Sequence, residues 1–141
     1  MLTKYCDNFS YGYNGFTDNL TVLQYSDDAA RCNWGDNWRI PTVEEWQELL
    51  SNTTKERTTQ NGVEGFLFVA SNGNSLFLPV AGERAGNELY NVGIKCRYWS
   101  NSLLPQNYPY MAYFFDNNNV YWGLSRFYGL PVRPVRSAPQ N

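Results

Sequence analysis

Glu44, Glu45 and Glu48 stand close together, and a pair of neighbouring carboxylates is what glycoside hydrolysis requires. These three fall on consecutive turns of an expected helix, where a helix cap and a solvated face account for them better than acid-base chemistry. Cys6, Cys32 and Cys96 allow at most one internal disulfide and have no C-x-x-C metal spacing. The chain has no histidine, which removes Ser-His-Asp and Cys-His nucleophile systems and every imidazole-bound metal. Arg133 and Arg136 carry the forked donors that suit a carboxylate or phosphate. What remains is recognition chemistry: 17% of residues are aromatic, with 11 Tyr and 5 Trp beside 17 Asn. Such groups give rigid contact area and adaptable hydrogen bonds without charge, and they equally suit a Tyr-rich core.

The whole chain bounds what these residues can serve. Its 141 residues fit one domain. A net charge of −2 and a pI near 5.0 provide no basic field, so nucleic acid is not an expected partner. No apolar run approaches the roughly 20 residues that cross a bilayer, so no membrane insertion by this segment is expected. No charged and then apolar leader precedes residue 20, so no signal peptide is visible.

Residues 1–25 mix Asn, Gly, Tyr and Ser without a period and read as loop, with a short strand at Leu20 to Leu23. Ser26, Asp27 and Asp28 offer oxygen acceptors to the start of a short helix that stops near Gly35. Thr42 followed by Glu45 is a capping box, and Val43, Trp46, Leu49 and Leu50 then share one face, which predicts a second helix over about 42–51. From residue 65 the period becomes two. The runs 65–70 and 75–80 flank Asn72-Gly73, a pair suited to a type I′ hairpin turn. Further strands are expected at 97–102, 110–116 and 120–126, the last two joined through Asn117, Asn118 and Asn119. A closing strand at 130–136 carries Pro131 and Pro134, which demand an edge. Two helices followed by antiparallel strands define an α+β domain.

Four stretches occur in order: Asn33-Trp-Gly-Asp-Asn-Trp-Arg-Ile-Pro-Thr-Val-Glu-Glu-Trp46, Asn72-Gly-Asn-Ser-Leu-Phe-Leu-Pro79, Tyr98-Trp-Ser-Asn-Ser102 and Gly129-Leu-Pro-Val-Arg-Pro-Val-Arg136. Over residues 22–136 the chain resembles the Fibrobacter succinogenes major paralogous domain, a family abundant in gut Bacteroidetes and related to the C-type lectin-like fold. The resemblance implies a single domain of that fold, with an irregular 1–21 segment and C-terminal hairpins presenting a ligand face. It also implies that the C-terminal strand closes the sheet, so that Arg133 satisfies buried carbonyls or pairs with Glu45 or Glu48. Related domains are the variable proteins of diversity-generating retroelements, in which adenine-directed mutagenesis rewrites a C-terminal segment. The Glu-Pro-Asn, Gln-Pro-Asp and Trp-Asn-Asp triplets of calcium-dependent lectins are missing, and Trp34-Gly-Asp36 is only a loose echo, so no metal or other cofactor is expected. The cysteine pair of the formylglycine-generating branch is missing too, as no cysteine follows Cys96.

Between Tyr98 and Leu130 there are six Tyr and five Asn, and the only charged residues are Asp116 and Arg126. Trp99, Ala112, Phe115 and Val120 are expected inside, and alternation sets Tyr121, Gly123 and Ser125 on the opposite side from Val120, Trp122 and Leu124. The expected ligand face is Asn101, Gln106, Asn107, Tyr110, Tyr113, Asn117, Asn118, Asn119, Tyr121, Gly123, Ser125, Phe127 and Tyr128. The function expected from it is non-enzymatic binding of a protein or glycan at a cell surface or on a phage particle. The alternatives are a structural or adhesive module of a surface layer or pilus tip, and a formylglycine-generating-enzyme-like catalyst.

Overall fold

The computed structural model describes residues 2–103, 111–115 and 119–138, with the backbone alone in 111–115 and 119–122. The chain is α+β: helices α1 (Ala29–Trp34) and α2 (Val43–Ser51) accompany eleven short strands among the described residues. These strands are β1 (Trp38–Arg39), β2 (Thr53–Gln60), β3 (Val63–Ala70), β4 (Ser75–Pro79), β5 (Glu83–Ala85), β6 (Glu88–Tyr90), β7 (Arg97–Trp99), β8 (Met111–Phe115), β9 (Asn119–Gly123), β10 (Tyr128–Gly129) and β11 (Val135–Arg136). They form sheets ordered β2-β3-β4, β7-β8-β9, β10-β5-β6 and β1-β11, with every pair antiparallel.

The cap of α1 is Asp28, whose Oδ1 accepts the amides of Ala30 and Arg31 while its Oδ2 accepts that of Ile40 at 2.9 Å. One buried carboxylate therefore satisfies the open amides at a helix start and fastens the helix to the chain leaving β1. In α2 the expected capping box is present, Thr42 Oγ1 accepting the Glu45 amide at 3.2 Å and Glu45 Oε2 accepting the Thr42 amide at 2.9 Å. Glu45 also receives both terminal nitrogens of Arg39, one of them at 2.6 Å. Arg133 is exposed and is not the partner of Glu45: Arg39, six residues upstream on β1, occupies that carboxylate instead.

The Arg39 guanidinium, against burial, holds the Glu45 carboxyl below the ordinary range. Because the folded value is the lower one, the stabilisation is complete above the unfolded pKa and is lost as pH falls through the folded value. Glu45→Gln is expected to lower stability by about 1 kcal/mol at pH 7, discounted for partial exposure. The gap to the parent should close below about pH 4, as urea midpoints at several pH values would record.

Trp46 on α2 enters a core of Phe66, Phe68, Leu78, Val80, Cys96 and Tyr98, which joins α2, β3, β4 and β7. Burial of the Tyr98 ring raises its phenol well above the usual value, and its hydroxyl donates to the Pro79 carbonyl at 3.0 Å. The type I′ turn belongs to a different Asn-Gly pair from the one expected. Asn61 and Gly62, at φ 49° and 78°, form the two-residue loop between β2 and β3. At 71–73 only Gly73 is left-handed, and the loop has three residues, closed by Gly73 N to Ala70 O and Ala70 N to Asn74 O, both 2.9 Å. β2 was not expected; its edge position lets it carry Lys55, Glu56 and Arg57 on a strand that still pairs over its full length with β3.

The other expected strands are trimmed. Leu20 to Leu23 is not a strand and makes only an isolated bridge, Val22 with Ser102. Residues 97–102 keep the ladder only through Trp99, and 120–126 becomes 119–123. Pro131 and Pro134 confine the closing strand to β11, which pairs with β1. The amino-terminal loop is organised by Asp18, whose carboxylate accepts the amides of Tyr5 at 2.6 Å and Cys6 at 2.9 Å. Arg126 ties this loop to the other end of the chain by donating Nη1 to the Lys4 carbonyl at 2.6 Å and Nη2 to that of Tyr5.

Candidate binding face

Among the described side chains near the carboxyl end the most exposed aromatic is Phe127, 68% accessible, whose ring packs at a tilt against Tyr128, 4.2 Å between centroids and 32° between planes. Tyr128 is fixed from two sides. Its amide donates to Ser125 O at 3.2 Å, closing the turn after β9, and β10 then pairs with β5, Tyr128 opposite Ala85. β5 continues into β6 through Gly86-Asn87, with Gly86 at φ 59°, as a two-residue hairpin that opens on glycine requires. Register places Tyr128, Ala85 and Glu88 side by side, with Glu83 and Tyr90 as the next pair on the same face. Gly82 permits this approach, since a Cβ there would lie 2.1 Å from the Tyr90 carbonyl oxygen.

At one end of that face Glu83 is buried, accepting Asn91 Nδ2 at 2.7 Å and ion-paired with buried Arg97 on β7. At the exposed end the Tyr90 hydroxyl donates to the Glu88 carboxylate, which, with some help from burial and Tyr128, pushes the Tyr90 phenol up. The result is a small sheet rooted by an interior ion pair that presents Phe127, Tyr128, Tyr90 and one carboxylate.

Tyr128 and Gly129 also form the rim of a cleft of about 310 Å³ whose apolar walls include Trp99, Leu130, Ile40 and Leu23. Asp27 and Arg126 line it as well. Asp27 accepts Lys4 Nζ at 2.6 Å and the Tyr5 hydroxyl, and these two donors hold its carboxyl below the usual range. The charges in the cleft are thus already engaged by the protein. Rigid aromatic faces beside an apolar recess suit binding of a ring or an apolar side chain.

The expected face is divided by the structure. Ser125, Phe127 and Tyr128 are brought together, and half-buried Gly123 ends β9 two residues before Ser125. Asn101 is corrected: it is only 9% exposed, and its amide donates to Pro41 O at 2.9 Å while its carbonyl accepts Leu23 N at 3.2 Å, so it belongs to the interior. Gln106, Asn107, Tyr110, Asn117 and Asn118 lie outside the described residues. For Tyr113, Asn119 and Tyr121 the backbone register alone is described. Tyr113 stands opposite both Tyr98 and Tyr121, so register groups Tyr113 and Tyr121 with Tyr98, whose ring lies 5.8 Å from that of Trp46.

Glu88 and Tyr90 were missed by sequence reasoning, although Gly86-Asn87 between short runs is a hairpin signal. Among the described residues no group of His, Cys, Asp and Glu is arranged to hold a metal ion, and no helix is long and apolar enough to cross a membrane. Comparison with protein-family models, curated proteins and solved structures finds no match.

Proposed function

We propose that the chain is a non-enzymatic ligand-binding domain, receptor-like or adhesin-like, whose binding seat is the Phe127–Tyr128–Tyr90 face and the cleft behind it. The observation that carries this reading is the solvent-facing Phe127, packed against a Tyr128 immobilised by sheet pairing. A large ring held in one orientation at the surface has little conformational freedom left to lose when a partner covers it. The α+β order of elements is consistent with a C-type lectin-like domain of the Fibrobacter succinogenes major paralogous kind. The charge-poor, Tyr- and Asn-rich 98–130 segment supports the further reading of a variable protein that presents this segment at a cell surface or on a phage particle. Its ligand is a protein or a glycan.

The test is a glycan array and a panel of host surface proteins probed with the parent and with the Phe127→Ala/Tyr90→Ala double variant. At least about a tenfold loss of affinity, with an unchanged circular dichroism spectrum, is expected. Undiminished binding by the folded double variant excludes this face as the seat. One observation favours the second reading, a structural or adhesive module: Leu89, Val92 and Ile94 are all more than half exposed along and just after the free edge of β6. Assembly in solution that Ile94→Lys abolishes would support it.

A further inference from the structure

The Asn33–Trp38 stretch carries chemistry that the face above does not use. Trp34 ends α1 and is 57% exposed. Gly35, at φ 88°, lets the chain turn back at once, and Trp38 N donates to Gly35 O at 3.0 Å. That turn sets the two indoles edge to face, 5.8 Å apart at 68°. Trp38 is half-buried and sits in β1 opposite Arg136 of β11. The Trp34 ring is therefore braced by a neighbour that is itself held in a sheet, while most of its surface stays in water. Leaving so much indole exposed forgoes the gain of burying it, and the turn does not need a tryptophan for its geometry.

The groups around the indoles define what would cover them. Asp36 and Asn37 occupy the turn between the two rings and are exposed, as is Arg136 across the register. An exposed indole with a carboxylate and an amide in the adjoining turn and a guanidinium on the paired strand matches a molecule with one apolar flat face and a rim of hydroxyl groups. An apolar side chain could cover the ring but would make no use of these donors and acceptors. We infer that Trp34, braced by Trp38 and flanked by Asp36, Asn37 and Arg136, is a stacking site for a neutral pyranose ring. The site is built on α1, β1 and β11 and is separate from the elements that carry Phe127, Tyr128 and Tyr90, so it does not depend on the reading of that face.

Indole Nε1–H signals of protein labelled with ¹⁵N-tryptophan report on it directly. The probes are methyl β-glucopyranoside, methyl β-galactopyranoside and methyl α-mannopyranoside, with millimolar dissociation constants expected for a single open site. At least one probe should shift the Trp34 and Trp38 signals in a saturable way and leave that of buried Trp46 in place. The Trp38 shift should disappear in Trp34→Ala, whose remaining signals keep their dispersion, and should persist in Phe127→Ala. No saturable shift with any of the three sugars overturns the inference. So does a Trp38 shift that survives Trp34→Ala, or one that Phe127→Ala removes.

Discussion

Arg97→Ala is expected to lower the free energy of unfolding by about 3–5 kcal/mol, the scale found when one member of a buried ion pair is removed. Glu83 and Arg97 are both almost wholly enclosed, and Asn91 adds a 2.7 Å hydrogen bond to the same carboxylate. Deleting the guanidinium leaves Glu83 in the interior with the amide of Asn91 but without its counter-charge. The loss therefore measures an abandoned carboxylate more than the worth of the pair. Replacing both partners by apolar residues, Glu83→Leu with Arg97→Met, should recover most of the deficit in urea denaturation. A double variant as unstable as Arg97→Ala would show that the site needs something other than charge balance. Since the pair joins β5 to β7, Arg97→Ala should also loosen the sheet beneath Tyr90 and Tyr128, seen as faster amide exchange there.

Phe68→Ala is the second large effect, also about 3–5 kcal/mol. Phe68 has no exposed surface and lies on the central strand of β2-β3-β4, opposite Lys55 on one side and Leu76 on the other. Strands on both sides limit how far the backbone can close over the missing ring, so a cavity remains beside Trp46 and Tyr98. Phe127→Ala removes a ring of the same size from solvent-facing surface and should shift stability by no more than about 0.5 kcal/mol. Thermal and urea unfolding of the two variants make the comparison. A cost below about 1 kcal/mol for Phe68→Ala would mean that the core repacks freely.

Signals that act locally were the readable ones. Thr42 and Glu45 satisfy each other's amides within a single turn, so the start of α2 follows from four residues of sequence. The two Asn-Gly pairs show where local chemistry is insufficient. Both make hairpins, but the I′ turn falls to Asn61-Gly62, where pairing continues right up to Gln60 and Val63, and at Asn72-Gly73 one extra loop residue leaves left-handed backbone to glycine alone. β2 was hidden because an edge strand in contact with water needs no apolar alternation. β5 and β6 are three residues each, too short for a period to register. Asn101 was misplaced for a different reason: composition marks it as a recognition residue, whereas its position is set by main-chain bonds to Pro41 and Leu23, remote in sequence.

The contact of Arg126 with the Lys4 and Tyr5 carbonyls spans more than 120 residues and sits immediately before Phe127. Grafting a foreign 98–130 cassette onto this scaffold would thus exchange one half of a clasp whose other half is the opening loop. A transplanted hairpin that lacks an arginine at this place arrives unmoored, and trimming the first half-dozen residues would release even the native one.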